Sequence, residues 1–354
     1  MKKVLMKGNE AIGEGAIRAG CRHFFGYPIT PQSELPHYLA KRMPEVGGVF
    51  LQAESEVSAI NMVYGAAGAG VRVLTSSSSP GLSLMQEGIS YLVGAELPCV
   101  IVNVMRGGPG LGNIAPAQSD YFQSTKGGGH GDYKLITLAP ASVQEIIDLM
   151  AKAFDLSDHY RTPVMILGDG ILGQMMEPVE LDKVQEVKQA EKSWAASGMR
   201  GRSTPNIINS LYIVPEDCEE LNKRLFAKYH EISQKEKMWE EYRLEDAEVV
   251  LAAFGTSARI CKSAADKARA KGIKAGVIRP ITLWPFPSEV FQRAAKSARC
   301  FLTVEMSMGQ MVEDVRLAVN GAKPVHFYGR SGGMVPMVND ILAQIEKLAS
   351  GGEQ

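Results

Sequence analysis

Two rhythms of apolar and polar positions run through the first half of the chain. Short β-rich runs, Gly48–Ala53, Arg72–Ser76, Cys99–Met105, Leu135–Leu138 and Pro163–Leu167, alternate with stretches near residues 9–20, 31–43, 54–69, 81–93 and 142–156 that carry helical periodicity. Strands interleaved with helices predict a parallel sheet with helices on its faces. Past Gln174 the rhythm fades. Residues 175 to about 246 are rich in Lys and Glu with scattered Gly, Ser and Pro, and a charged helical pattern covers Glu219–Tyr242, so this stretch reads as a connector crossing a surface. A second α/β unit opens with strand-like Val249–Phe254, turns at Gly255-Thr256-Ser257 and enters a helix, Ala258 to Lys271, that stops at Gly272. Strand-like Ala275–Arg279, Cys300–Val304 and Val325–Tyr328, with helical Ser288–Ser297 and Met337–Leu348, complete it. The expected fold is α/β, a doubly wound parallel sheet over residues 1–190, a connector over 191–246 and a second α/β domain over 247–350, with separate cores.

A length of 354 residues is enough for two such units. Lys and Arg total 38 against 39 Asp and Glu, and no basic run stands out, which argues against nucleic acid or an anionic membrane as partner and for small molecules and proteins. The start offers a run of only three apolar residues, Val4–Met6, before Lys7, and the longest apolar stretch, around Leu97 to Met105, is far short of the ~20 residues that span a bilayer, so no membrane association and a cytoplasmic location are expected. Cys21, Cys99, Cys218, Cys261 and Cys300 are widely separated, without Cys-x-x-Cys or a local His at metal-ligand spacing. Neither zinc nor an iron-sulfur cluster is expected within this chain, and any redox carriers belong elsewhere.

Candidate chemistry lies where strands give way to helices. The glycine clusters Gly13-Glu-Gly15 and Gly65-Ala-Ala-Gly68-Ala-Gly70 fit neither a dinucleotide fingerprint nor a P-loop. Gly168-Asp169-Gly170 resembles the opening of the thiamine diphosphate–magnesium motif, but the window Ser193–Met199 lacks the Asn that motif requires, so Asp169 reads as a turn residue and no metal ligand is assigned. In Tyr27-Pro28-Ile29-Thr30-Pro31, Thr30 is placed to cap a helix from Gln32 to Arg42, a geometry that also offers N–H groups and a hydroxyl to an anion. Glu54-Ser-Glu56 begins a small-residue helix after a strand, either as a dipole complement or as lining of a strand-end crevice. Arg106 ends an apolar strand beside Gly107-Gly108-Pro109-Gly110 and suits a carboxylate or a surface ion pair. His130, in a glycine-rich loop, is a candidate acid or base, and Ser79, in Thr75–Ser79 before Pro80-Gly81, is a cap or a ligand contact.

As a set, Tyr27-Pro-Ile-Thr30-Pro, Glu54-Ser-Glu56, Val104-Met-Arg106-Gly-Gly-Pro109 and Val277-Ile-Arg-Pro280-Ile-Thr-Leu-Trp-Pro285-Phe-Pro resemble the alpha subunit of 2-oxoacid:ferredoxin oxidoreductases, nearest its VorB-like and KorA-like branches. The resemblance implies a thiamine pyrimidine-binding domain followed by a transketolase C-terminal-like domain. It aligns Glu56 with the glutamate that hydrogen-bonds N1′ of the thiamine diphosphate aminopyrimidine, where a carboxylate favours the tautomer that accepts the thiazolium proton. Thr30 and Arg106 fall at substrate-facing positions, and Tyr27 and Pro28 beside the cofactor. It further implies an interface site whose diphosphate and Mg²⁺ are held by a beta subunit, a separate gamma subunit, and a ferredoxin-like iron-sulfur subunit that passes electrons to ferredoxin. Coenzyme A takes up the acyl group in CoA-dependent oxidative decarboxylation. A branched-chain substrate, 3-methyl-2-oxobutanoate, is favoured over 2-oxoglutarate or pyruvate; the alternatives are a non-redox thiamine enzyme and a non-catalytic scaffold. The role of the glycine-rich 107–132 segment is left open.

Overall fold

In the computed structural model, which describes residues 3–181 and 191–351, the alternation becomes two open sheets and one small ribbon. The first half runs β1 (Lys3–Lys7), α1 (Gly8–Arg18), β2 (His23–Gly26), α2 (Glu34–Glu45), β3 (Val49–Gln52), α3 (Glu56–Gly68), β4 (Val73–Ser77), α4 (Pro80–Gly94) and β5 (Cys99–Met105). It continues with α5 (Tyr121–Thr125), β6 (Ile136–Leu138), α6 (Val143–Tyr160), β7 (Pro163–Asp169), α7 (Gly170–Gln174) and β8 (Met176–Glu180). Next come α8 (Pro215–Lys235), β9 (Trp239–Tyr242), β10 (Val249–Ala252), α9 (Gly255–Ala270), β11 (Ala275–Pro280) and β12 (Thr282–Trp284). The chain ends with α10 (Ser288–Ala294), β13 (Cys300–Glu305), α11 (Met311–Val319), β14 (Val325–Gly329) and α12 (Val338–Ala349). The expected boundary at residue 190 lies outside the described residues.

The large sheet has the order β12-β6-β7-β5-β4-β2-β3 and is parallel except for β12 at its edge. From β2 the chain steps outward to β3, then returns past β2 to β4 and continues the other way. Winding therefore reverses between β2 and β4, and loops leaving a reversal diverge to open a crevice at the carboxyl ends of the strands. Thr30, Glu56, Ser79 and Arg106 all follow or end strands β2 to β5 and so gather at that edge. The second sheet, β14-β13-β10-β11-β9, is parallel except for β9.

Three expectations give way. The two units do not have separate cores: alternate residues of β10 face opposite sides, so Val249 and Leu251 pack under α9 and α12 while Val250 and Ala252 join the core of the first sheet. The charged helical pattern ends at Lys235, and Trp239–Tyr242 forms a strand instead, because the open edge of β11 offers backbone partners and both flanking aromatics suit a strand. Thr30 does not cap a helix. Pro36 would fall in the interior of a helix begun at Gln32, where its missing N–H and its ring cost about 3 kcal/mol, whereas a start at Glu34 leaves it in the first turn where no N–H is needed. Among the described residues, no helix is long and apolar enough to cross a membrane.

Helices α3 and α4 pack closely against each other. A Cβ on Gly88 of α4 would lie 2.5 Å from Cγ2 of Ile60 on α3, a side chain with no room to move in the core. Gly88→Ala gains up to about 1 kcal/mol of helix propensity but overpacks by about 1–3 kcal/mol, so a net loss in denaturant-unfolding free energy is expected. A more stable variant would mean that α3 and α4 are not held this close.

Candidate active site

The site is built around the turn from β4 into α4, Ser77–Gly81. Ser79 adopts φ +26°, ψ −82°, a conformation rare for a residue with a side chain, and is held there from several sides. Its N–H donates to Oδ1 of Asn103 (3.2 Å), and its hydroxyl donates to Oδ2 of Asp120 (2.6 Å) while accepting the backbone N–H of Arg106 (3.1 Å). Asn103 also donates to Oδ2 of Asp120 (2.9 Å). Burial pushes the Asp120 carboxyl above the usual carboxylate range, its two hydrogen bonds opposing the shift.

Glu56 is the first residue of α3, whose N-cap Ser55 accepts the N–H of Ser58 (3.2 Å). Its carboxylate lies against the turn: a Cβ on Gly81 would fall 2.5 Å from its Oε1 and 2.0 Å from Oγ of Ser77. Only glycine fits there, so Gly81 is the residue that lets a carboxylate reach the turn. Five acids are buried among the described residues. Glu14 accepts from Arg18 and Tyr38, Asp169 from the N–H groups of Ile171 and Leu172, Glu305 from those of Gln310, Met311 and Val312, and Asp314 from Tyr121 and Lys126. Glu56, 5 % exposed, has no hydrogen-bond or ion-pair partner among the described residues. The hydroxyl of Ser77, which like Glu56 lies against Gly81, is buried without a partner, as are those of Thr75 in β4 and Ser78 just past it. Unmet buried groups occur elsewhere too, at Ser124, Thr162 and Thr303 among others, but those at the end of β4 stand beside a buried carboxylate, an arrangement suited to a polar ligand.

Arg106 forms no ion pair among the described residues. Its Nη1 donates to the carbonyl of Thr30 (3.0 Å) and its Nη2 to that of Leu111 (3.2 Å), leaving Nε buried and unpartnered. Thr30 is thus brought to Arg106, and both flank the turn that touches Glu56. Tyr27 and Pro28 are exposed on the loop before Thr30. His130 is not brought in: it sits beside Ser90 (3.3 Å) and edge-on to Tyr91, far along α4 from Gly81. Sequence reasoning missed Gln32, fully buried, whose amide nitrogen reaches the carbonyl of Tyr27 (3.5 Å) and whose oxygen accepts from Ser76 (2.7 Å). It also missed Asn103 and Asp120, although a lone Asn inside the apolar run Cys99–Met105 is a legible signal. The 107–132 segment proves to be a bridge: Gln118 donates to the carbonyl of Phe254 (2.9 Å) and accepts from Ser257 (2.6 Å), and Tyr121 donates to Asp314 (2.6 Å).

Against known proteins, residues 14–241 match the family model described as pyruvate flavodoxin/ferredoxin oxidoreductase, thiamine diP-bdg, and residues 247–341 match pyruvate:ferredoxin oxidoreductase core domain II. The ketoisovalerate oxidoreductase subunit VorB of Methanothermobacter marburgensis is 52% identical over 349 residues, 99% of each chain. The 2-oxoglutarate synthase subunit KorA of Archaeoglobus fulgidus is 40% identical over 93% of this chain and 95% of its own. Among solved structures, the 2-oxoglutarate:ferredoxin oxidoreductase of Magnetococcus marinus superposes with a TM-score of 0.88 at 28% identity, covering 98% of this chain and 65% of that one. A split-gene transketolase at 15% identity and TM-score 0.62, covering 98% of both chains, shares the fold. The fold and the family models thus define a thiamine diphosphate-type pyrimidine domain followed by a transketolase C-terminal-like domain. The chain belongs to the pyruvate flavodoxin/ferredoxin oxidoreductase family, as a subunit of a ferredoxin-dependent 2-oxoacid oxidoreductase.

Two variants test the turn. Gly81→Ala is expected to fold but to lose thiamine diphosphate binding in the assembled complex, read by calorimetric titration, because its Cβ displaces the Glu56 carboxylate; unchanged affinity would remove Glu56 from the site. Asp120→Asn keeps an oxygen for Ser79 and Asn103 but removes a half-buried charge. The folded chain holds the Asp120 proton more tightly than the unfolded chain, so wild-type stability from this group falls as pH rises through its raised pKa. The stability advantage of Asp120→Asn should therefore grow from acidic to neutral pH in denaturant melts, whereas Asp120→Ala, which strands two donors, should lose about 1–3 kcal/mol.

Proposed function

We propose that the chain provides the pyrimidine-side half of an interface active site that converts a branched-chain 2-oxoacid, 3-methyl-2-oxobutanoate, with coenzyme A and oxidised ferredoxin to acyl-CoA, carbon dioxide and reduced ferredoxin. The observation that carries this reading is the buried, unpartnered Glu56 carboxylate at the winding reversal of a chain 52% identical, end to end, to a ketoisovalerate oxidoreductase subunit. Thiamine diphosphate, when bound, supplies the nucleophilic carbon. Glu56 would hold a proton at N1′ of its aminopyrimidine, and the hydroxyls of Thr75, Ser77 and Ser78 offer it further polar contacts. The Arg106 guanidinium, fixed by two backbone carbonyls, would hold the substrate carboxylate, with Thr30 beside it and Tyr27 and Pro28 on the cofactor's flank.

Mg²⁺ and the diphosphate fall to a beta subunit in this reading. Asp169, spent on capping α7, has no Asn at the motif's spacing, and the cysteines cannot hold a cluster: Cys21, Cys99, Cys261 and Cys300 are buried, and desolvation drives their thiols upward. Iron-sulfur clusters then reside on a ferredoxin-like subunit, a gamma subunit completes the complex, and the assembly works in the cytoplasm.

The test is anaerobic purification of the tagged chain from its own host, followed by coenzyme A-dependent reduction of a low-potential dye with a panel of 2-oxoacids. Co-purification of smaller cysteine-rich subunits and turnover of 3-methyl-2-oxobutanoate are expected. Glu56→Gln should lower turnover at least ~10²-fold in an intact complex. Full activity in that variant would leave Glu56 a helix-end device, and bound thiamine diphosphate without dye reduction would point to non-redox chemistry.

A further inference from the structure

Two strands of the large sheet begin beside a charged cleft. Glu96 lies between α4 and β5 and Arg161 between α6 and β7, at the amino ends of those strands and at the opposite end of β5 from Arg106. There a cleft of about 270 Å³ opens among Glu96, Arg161, Trp194, Ile207 and Tyr212. Arg161, left-handed at the end of α6 (φ +47°), lays its guanidinium over the Trp194 ring at 4.4 Å and donates from Nε to the carbonyl of Glu96 (3.2 Å). Its Nη1 and Nη2 have no hydrogen-bond or ion-pair partner among the described residues. The Glu96 carboxylate is already engaged on both oxygens, by Lys228 at 2.7 Å and by Arg224 at 3.1 Å. Arg161, Arg224 and Lys228 against Glu96 leave a surplus of two positive charges. Desolvation holds Arg161 and Lys228 below their ordinary values, with Glu96 opposing the shift and Arg224 adding to it. Along the cleft's other wall, no backbone N–H of residues 206–209 has a hydrogen-bond partner among the described residues.

We propose that this cleft binds a small phosphate monoester, with the Arg161 guanidinium gripping the phosphate. Such a group carries about −1.5 to −2 near neutral pH, which matches the surplus, whereas a single carboxylate would leave part of it unmatched. Two free nitrogens of one guanidinium fit two phosphate oxygens side by side, and stacking on Trp194 fixes the plane of that fork before the ligand arrives. The free N–H groups of residues 206–209 offer further donors of the kind that cradle phosphates elsewhere. Ile207 and Tyr212 give the organic part of the ligand apolar surface to lie against.

The probes are inorganic phosphate and phenyl phosphate, titrated calorimetrically into the complex purified with its native partners and saturated with thiamine diphosphate, so that the crevice at Glu56 is filled. Saturable binding is expected, tighter for phenyl phosphate than for phosphate and weakened by salt. Arg161→Asn, whose side chain tolerates the left-handed backbone, should lower the phenyl phosphate affinity about 10-fold or more. The Arg224 side chain is 54 % exposed, so Arg224→Gln leaves the core undisturbed and should lower the affinity about 3-fold by removing one surplus charge. Both variants should keep the wild-type affinity for thiamine diphosphate. Absence of saturable binding, or binding that both variants leave unchanged, overturns the proposal. Binding by the isolated full chain but not by the complex overturns it as well, because the surplus charge then serves a contact between subunits.

Discussion

The site depends on one steric constraint: the β4–α4 turn has to pass between a buried carboxylate and the end of β5. With no Cβ at Gly81, the Glu56 carboxylate comes to rest against the turn, and Ser79, forced to a positive φ, faces the opposite way and meets Arg106. A residue with a side chain at Gly81 would push these two halves apart. The turn is costly in itself, about 1–3 kcal/mol for a non-glycine residue in such a conformation. It is offset by hydrogen bonds from Ser79 to Asn103 and Asp120, which tie it to β5 and to the loop beyond.

That loop gives the second unit a stake in the site. Asp120 lies two residues beyond Gln118, which bonds to Phe254, Ser257 and Met306, and next to Tyr121, which reaches Asp314. Strand β12 then joins the first sheet, and Arg279 reaches Glu145 through two nitrogens at 2.7 and 2.9 Å. The second domain is thus a buttress for Asp120 and, through it, for Ser79 and Arg106. Loops that carry binding residues are usually positioned by a rigid scaffold; here the scaffold comes from the other half of the chain.

Much of this was legible because α/β alternation is written locally. Strand runs such as Cys99–Met105 and Pro163–Leu167 reappear almost residue for residue, and Glu56, Thr30 and Arg106 were recognisable as strand-end polar residues in a fold that builds ligand crevices there. What escaped was non-local. A four-residue strand such as Trp239–Tyr242 exists because β11 has a free edge, which no window of sequence reveals. The shared core followed from the two faces of β10, and its residues look alike whichever neighbour they meet. Thr30 was misread as a cap for the opposite reason, since Pro36, a local signal, forbade a helix that early. Gln32 and Asp120 escaped because a polar residue in a loop carries no sign of the distant partner that buries it.

The buried acids make the final step. Where Glu14, Asp169, Glu305 and Asp314 occur, the fold answers each with donors, some of them bent backbone N–H groups, because an unanswered buried carboxylate is expensive. At Glu56 the same fold supplies none, and it leaves Thr75, Ser77 and Ser78 unanswered at the same strand end. Replacing such residues by apolar ones of similar size would relieve the chain, since unmet polar groups cost about 1–3 kcal/mol each. Their presence beside one another is what a polar ligand arriving at this strand end would satisfy. The strand ends therefore hold stability in reserve, to be recovered by a polar ligand that meets these groups.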